Sequence, residues 1–246
     1  MADMRIGAVV VLLAALTASC GGGGFFRQYE YEEEMYLSLD GSATLYVNSS
    51  IHALNALRGS SFDPDPAARL DRDAIRAYFT TPFTRVTRRP SLSRRDGRRF
   101  VHVRIAVDDV TKLAGAAPFA WSSYHFAADG DRFRYQQTMR APAGRALAGA
   151  NWHGKELVAV RLHLPSRIVY HNAGAGNPQR GNILGWEQPL TERLRGQPVV
   201  IEARIDAQSI LYRTLFLFAA TFAAVTVGFV LLIWWIVKRG AKPAQV

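Results

Sequence analysis

The sequence predicts an α+β fold: an antiparallel sheet of hairpins covered by two or three short helices, followed by one C-terminal transmembrane helix. Three observations predict it. The pairs Asp40-Gly41, Asp96-Gly97 and Asp129-Gly130 each lie between stretches of alternating apolar and polar residues, which is the strongest short-range signal of a β-hairpin. Two further stretches, 51–57 and 70–79, suit helices, the second with its apolar residues spaced for one face. Residues 215–237 carry no charge at all.

The elements follow in chain order. Before the first Asp-Gly pair, Tyr29, Tyr31, Met35, Leu37 and Leu39 alternate with Glu30, Glu32, Glu34, Tyr36 and Ser38; after it, Ala43, Leu45 and Val47 alternate with Thr44, Tyr46 and Asn48. Helices are expected over 51–57 and 70–79, the second with Asp71 as N-cap and with Ala74, Ile75, Tyr78 and Phe79 on one face. The Gly, Ser, Asp and Pro residues of 59–66 make a loop between them. Beyond the second Asp-Gly pair, Val101, Val103, Ile105 and Val107 share a strand face opposite His102 and Arg104, and 108–113 suits a short third helix. The third pair joins 121–126 to 132–136. Later strands are expected over 156–164 and 198–206, with 172–181 as a loop. One-sided alternation of this kind suits an antiparallel sheet with a single buried face, which the helices must cover. The stretch 141–149 either divides two halves or is an exposed connection. A single domain over 29–208 is expected, because neither half has the material for a core of its own.

As a helix, 215–237 is roughly 35 Å long, enough for a hydrocarbon layer of about 30 Å. Arg213 precedes it, and Lys238, Arg239 and Lys242 follow. The basic excess behind the span places the tail 239–246 in the cytoplasm, the transmembrane helix over 209–238 and the preceding domain outside. The N-terminus agrees. Residues 6–16 form an apolar run of signal-peptide length behind Arg5. Leu16-Thr17-Ala18-Ser19-Cys20, followed by a glycine tract, resembles a bacterial lipobox, although Thr17 stands where an aliphatic residue is usual. That resemblance implies a signal peptide over 1–19, acylation of Cys20 and a Gly-rich tether over 20–28. An ordinary signal-peptidase site and an uncleaved anchor are the alternatives. Cys20 is the only cysteine, so the domain has no internal disulfide and must rely on its core.

The formal net charge is +10. Loss of 1–19 removes Arg5 and Asp3 together, and setting aside Lys238, Arg239 and Lys242 leaves +7 on the exported part. Such a charge suits an anionic membrane surface. An extracytoplasmic address argues against nucleic acid as the partner. Arg85, Arg88, Arg89, Arg94, Arg95, Arg98 and Arg99 crowd the second hairpin. They are candidates for a cationic finger that binds anionic lipid headgroups or an acidic envelope polymer, or else for a solvated edge that discourages aggregation. Glu30, Glu32, Glu33 and Glu34 form an acidic run; strand alternation points Glu30, Glu32 and Glu34 to one polar face, which reads as a solvated face rather than as paired carboxylates for acid–base work. Asp63 and Asp65 are a faint calcium candidate. The six histidines have no zinc spacing, and no nucleophile motif occurs, so neither metal, cofactor nor catalysis is expected. Within the span, Ala220, Ala224 and Gly228 recur every fourth residue, a row that lets two helices approach and form a homodimer. Replacing Gly228 with Ile is then expected to abolish self-association in a membrane reporter assay, and an unchanged signal counts against the row.

The lipobox, an early hairpin, alternating strands and helices, Leu164-Pro165, the Asn172 loop, Gly185-Trp186-Glu187 and a strand running into one span together resemble the LppM-like class of envelope lipoprotein domains. The resemblance implies a non-enzymatic envelope domain that handles lipid. It transfers no catalytic residue, and the Arg-rich hairpin is not a feature of that class. The expected function is a membrane-anchored envelope protein whose exported domain binds lipid or an envelope component. A protein-docking subunit of an exported assembly and an envelope-polymer hydrolase are the alternatives.

Overall fold

The computed structural model describes residues 27–142, 144, 150–174 and 179–240. The candidate lipidation residue Cys20 and the expected signal segment lie outside them. Described in chain order are β1 (Tyr29–Leu37), β2 (Ala43–Ser50), α1 (Ile51–Arg58), α2 (Arg72–Phe79), β3 (Thr84–Val86), β4 (Ser91–Arg95) and β5 (Arg98–Val107). Two 3-10 turns (Val110–Gly115 and Ala117–Phe119) lead to β6 (Ser122–Asp129), β7 (Arg132–Met139), β8 (Leu157–His163), β9 (Ser166–His171), β10 (Gln179–Arg180) and β11 (Ile183–Pro189). The chain ends in α3 (Leu190–Leu194), β12 (Val199–Ser209) and α4 (Ile210–Gly240).

The fold is α+β, as expected, but it has two sheets. The larger runs β10-β11-β8-β1-β2-β5-β3, with β4 also paired to β5; the smaller runs β6-β7-β12-β9. All three Asp-Gly pairs lie at hairpin turns, joining β1 to β2, β4 to β5 and β6 to β7. Asp96 and Gly97 both have positive φ, 48° and 71°, the left-handed pair that a two-residue turn between twisted strands requires. The strand β1 pairs antiparallel with β2 but parallel with β8, so the larger sheet is mixed. Its inner face carries Tyr31, Met35, Leu45, Val47, Val103, Ile105, Val160 and Leu162, all buried.

That face is covered by α1 and by the inner side of the smaller sheet, where Tyr124, Tyr135, Met139, Ile201, Ala203 and Ile205 belong to the same core. The core is therefore shared by residues on both sides of 141–149. Ser50 caps α1 by accepting the Ala53 N–H, and Gly59 closes it at φ 71°. Asp71 caps α2 through the Asp73 N–H, as its position predicts. The expected third helix is instead a 3-10 turn capped by Asp109.

Within Thr214–Gly240 of α4 an 18-residue stretch averages a hydropathy of 2.5, and none of that stretch is buried in the protein. Phe216, Phe218, Phe222, Phe229, Trp234 and the neighbouring aliphatic residues are all exposed. An apolar surface this long and continuous is stable only in an apolar solvent. Among the described residues there is one helix long and apolar enough to cross a membrane.

Candidate functional site

Two polar centres stand out, one buried and one open. The buried centre lies between the sheets. Strand alternation puts Glu33 on the same face as Tyr31 and Met35, so it enters the core with no exposure. It forms an ion pair with Arg58, the last residue of α1, whose side chain is also fully buried. The Tyr31 hydroxyl donates to Glu33 at 2.9 Å and accepts from Arg58 Nε at 2.8 Å. The Arg58 guanidinium lies 4.1 Å from the Trp121 ring centre, and Tyr78 donates to its backbone carbonyl at 2.7 Å. Burial pushes the Tyr78 phenol up to about 12. Arg193 of α3, fully buried on the far side, lies 5.1 Å from the same Trp121 ring and donates to the carbonyls of Met139 and Gln197. Burial first, and the Arg58 charge second, lower its pKa to about 10.

A second buried pair, Glu30 with Arg98 at 3.0 Å, ties β1 to the start of β5. Arg98 also donates to the Asn151 carbonyl at 3.1 Å. The acidic run is therefore not one solvated face: Glu30 and Glu33 are buried, while Glu32 and Glu34 are half-buried beside Arg161 and His163 of β8.

The open centre is a groove of about 870 Å³ between the start of α2 and strand β4. It is lined by Arg69, Arg72, Arg89, Arg94 and Arg99, with Asp71 and Asp73 on the helix side. Five guanidiniums against two carboxylates leave the lining cationic, and Asp71 is engaged in capping α2. Arg94 is fixed by a 2.8 Å bond to the Pro66 carbonyl, and Arg99 by bonds to the carbonyls of Ala68 and Asp63. Among the described residues no carboxylate pairs with Arg69, Arg72 or Arg89.

The expected arginine finger divides accordingly. Arg89 and Arg94 face the groove from the exposed side, and Arg99 forms part of its wall. Arg98 and Arg99 are not surface groups: they are 4% and 5% exposed, because β5 turns both inward onto Glu30 and onto loop carbonyls. Arg95 lies over the Phe100 ring at 4.3 Å. Arg85 and Arg88 are exposed outside the groove lining. Arg69 and Arg72 escaped sequence reasoning. Their signal was the Arg-Leu-Asp-Arg step into a helix cap, legible only once β4 is known to lie beside it. Asp63 and Asp65 turn their carboxylates onto the N–H groups of Asp65 and Ala67. Among the described residues no three His, Cys, Asp or Glu side chains form a metal-binding group. Ala220, Ala224 and Gly228 lie on the exposed α4, and a side chain at Gly228 meets no described heavy atom within 4 Å.

Acid sensitivity follows from the same packing. Burial lowers the pKa of His52 from its ordinary 6.5, aided by Arg98 and Arg99, and burial with Arg95 lowers that of His102. Below about pH 6.5 the unfolded chain takes up protons that the folded chain refuses, so stability is full above that value and falls as pH drops through it. Burial would raise the Glu156 pKa, but the backbone N–H groups of His153, Glu156 and Gly154 together with the Arg98 charge outweigh it and the net shift is down. Its contribution is lost further into acid. The urea midpoint of the detergent-solubilised chain should hold above neutrality and decline from about pH 6.5 downward, less steeply in His52→Asn/His102→Asn. A midpoint unchanged down to about pH 5 would contradict this assignment.

No family model and no curated protein matches the chain. Among solved structures, the NMR structure of the folded domain of Mycobacterium tuberculosis LppM is a weak structural neighbour, with 13% identity and a TM-score of 0.39. The match covers 75% of this chain and 94% of that one. Neither a ligand nor a residue role passes across so loose a likeness.

Proposed function

We propose that this chain is a single-pass protein of the bacterial inner membrane, with its sheet domain on the extracytoplasmic side and its C-terminus in the cytoplasm. In this reading the domain binds rather than catalyses, and its ligand is a phosphate-bearing anionic group of a lipid headgroup or an envelope polymer, held in the groove between α2 and β4. One observation carries the reading: Arg69, Arg72 and Arg89 have no carboxylate partner among the described residues, yet they share a groove whose remaining arginines are held by backbone carbonyls. Unpaired guanidiniums that line a concavity are suited to bidentate contact with phosphate oxygens. The basic excess behind the apolar helix supports the orientation.

The test uses the full chain in neutral nanodiscs and two probes, short-chain phosphatidylglycerol and a poly(glycerol phosphate) oligomer. Each basic residue at an anionic surface contributes about 1 kcal/mol, so Arg69→Ser/Arg72→Ser/Arg89→Ser should weaken the bound probe roughly a hundredfold at low salt. Arg85→Ser/Arg88→Ser, outside the groove, should change binding far less. The probe that binds identifies the source of the phosphate. Equal binding by the triple variant and the parent chain would refute the groove.

A further inference from the structure

We infer that the junction between the domain and the membrane helix holds one glycerophospholipid, at a site separate from the basic groove. The inference rests on the reading that α4 spans a bilayer.

The site is an open crevice of about 760 Å³ where β9, the β10–β11 turn, the end of β12 and the first turns of α4 meet. Its composition changes along its length. Arg167, Asn182 and Gln208 line the domain end, Phe216 and Leu217 line the helix end, and Tyr212 lies between them in sequence. The antiparallel register that sets Ser166 opposite Ser209 brings Arg167 beside the last residues of β12. Arg167 Nε donates to Asp206 at 2.9 Å, and its side chain is 70% exposed. Asp206 therefore orients the guanidinium by one edge, while its two Nη groups have no partner among the described residues.

The membrane supplies the occupant. Once α4 lies in a bilayer, its apolar surface from Leu215 onward is solvated by acyl chains, and Tyr212 falls at the height where amphipathic aromatic rings concentrate. The polar end of the crevice then stands at the headgroup layer, and the apolar end opens into the hydrocarbon. A water-soluble ligand would have to displace lipid from Phe216 and Leu217. A glycerophospholipid matches both ends at once, with its phosphate oxygens on the Arg167 Nη groups, its ester region against Gln208 and Asn182, and one acyl chain along the helix. An arginine fork fits a phosphate in a way that a point charge does not. The volume falls in the range of pockets that enclose a bound small molecule.

Native mass spectrometry of the full chain, released from detergent micelles, tests the site. The parent chain should keep one phospholipid at detergent levels that strip the rest. Arg167→Gln should lower that occupancy at least about fivefold while leaving the urea midpoint unchanged, because the side chain is exposed. Leu217→Trp, which fills the apolar end, should expel the lipid by a second route. Lys238→Gln, at the opposite end of the helix, should retain it. A graded series of bound lipids that neither Arg167→Gln nor Leu217→Trp alters would be annular lipid only, and would overturn the inference. So would a parent chain that retains none. Carbonate washing before extraction separates the two readings. A chain released by carbonate refutes the membrane span itself, whereas a chain that stays in the membrane without Arg167-dependent lipid refutes only this site.

Discussion

Glu33→Leu should cost about 3–5 kcal/mol of folding stability, because it leaves the Arg58 guanidinium buried without its carboxylate. Both side chains are fully buried, and Tyr31 bonds to both. The remaining surroundings of Arg58 are the rings of Tyr31, Phe119 and Trp121 at 4.7, 5.2 and 4.1 Å, which attract the cation but cannot replace a counter-charge. For a domain of this size the loss corresponds to a fall in unfolding temperature of roughly 10 °C. Arg58→Leu should cost a similar amount, since it strands Glu33 and forfeits the ring contacts. The double variant Glu33→Leu/Arg58→Leu should cost less than the sum of the two, because replacing both charges by apolar groups removes the desolvation penalty of each. Urea denaturation of all three variants measures the coupling. Single variants that each cost less than about 1 kcal/mol would show that the pair is solvated.

A fragment of residues 27–209 should leave the membrane entirely and unfold at the same temperature as the full chain. The core cluster draws on both sheets, on α1, α2 and α3 and on the 3-10 turns, but on no described side chain of α4. The helix therefore adds little to domain stability and nearly everything to membrane partition. Its uncharged stretch contains fourteen Leu, Ile, Phe and Val residues, each favouring insertion by about 0.3–0.6 kcal/mol, or about 6 kcal/mol together. Fractionation of cells making the fragment, beside cells making residues 27–240, separates the outcomes. A fragment that still pellets with membranes after a high-salt wash, which removes headgroup contacts of the basic groove, would mean that α4 is not the anchor; one that no longer unfolds cooperatively would mean that α4 belongs to the fold.

The strands of the three Asp-Gly hairpins, β8 and β12 were legible because alternation and turn signals are local, whereas β3, β9 and β11, and β10 within the expected loop 172–181, were not. Alternation along 29–47 and 198–206 needs no knowledge of partners, and an Asp-Gly pair sets its own backbone geometry. Pairing between distant segments was not legible. The parallel contact of β1 with β8 joins Tyr31 to Val158, and nothing in either strand names the other. The smaller sheet escaped for the same reason: β12 alternates and β6 and β7 flank an Asp-Gly turn, but β9 (Ser166–His171) carries no alternation of its own, and only tertiary packing sorts strands into two layers. Glu33 was readable in principle, since period two places it with Tyr31 and Met35. Its partner was not readable, because the compensating charge comes from Arg58 at the end of a helix. Arg98 and Arg99 show the same limit. A cluster of arginines in sequence separates in space when some of its members meet a buried carboxylate or a ring of loop carbonyls. The groove combined Arg89 and Arg94 with Arg69 and Arg72 from another segment.

The central claim is that α4 crosses a bilayer with the sheet domain on the far side from the ribosome. Labelling of two single-site variants in intact spheroplasts by a membrane-impermeant maleimide, with the parent chain as baseline, tests it most directly. Asp131→Cys lies in the exposed β6–β7 turn, and Arg239→Cys lies behind the apolar stretch. Asp131→Cys should be labelled at once, and Arg239→Cys only after the membrane is opened. Labelling of Arg239→Cys in sealed spheroplasts, or protection of Asp131→Cys, would contradict the claim.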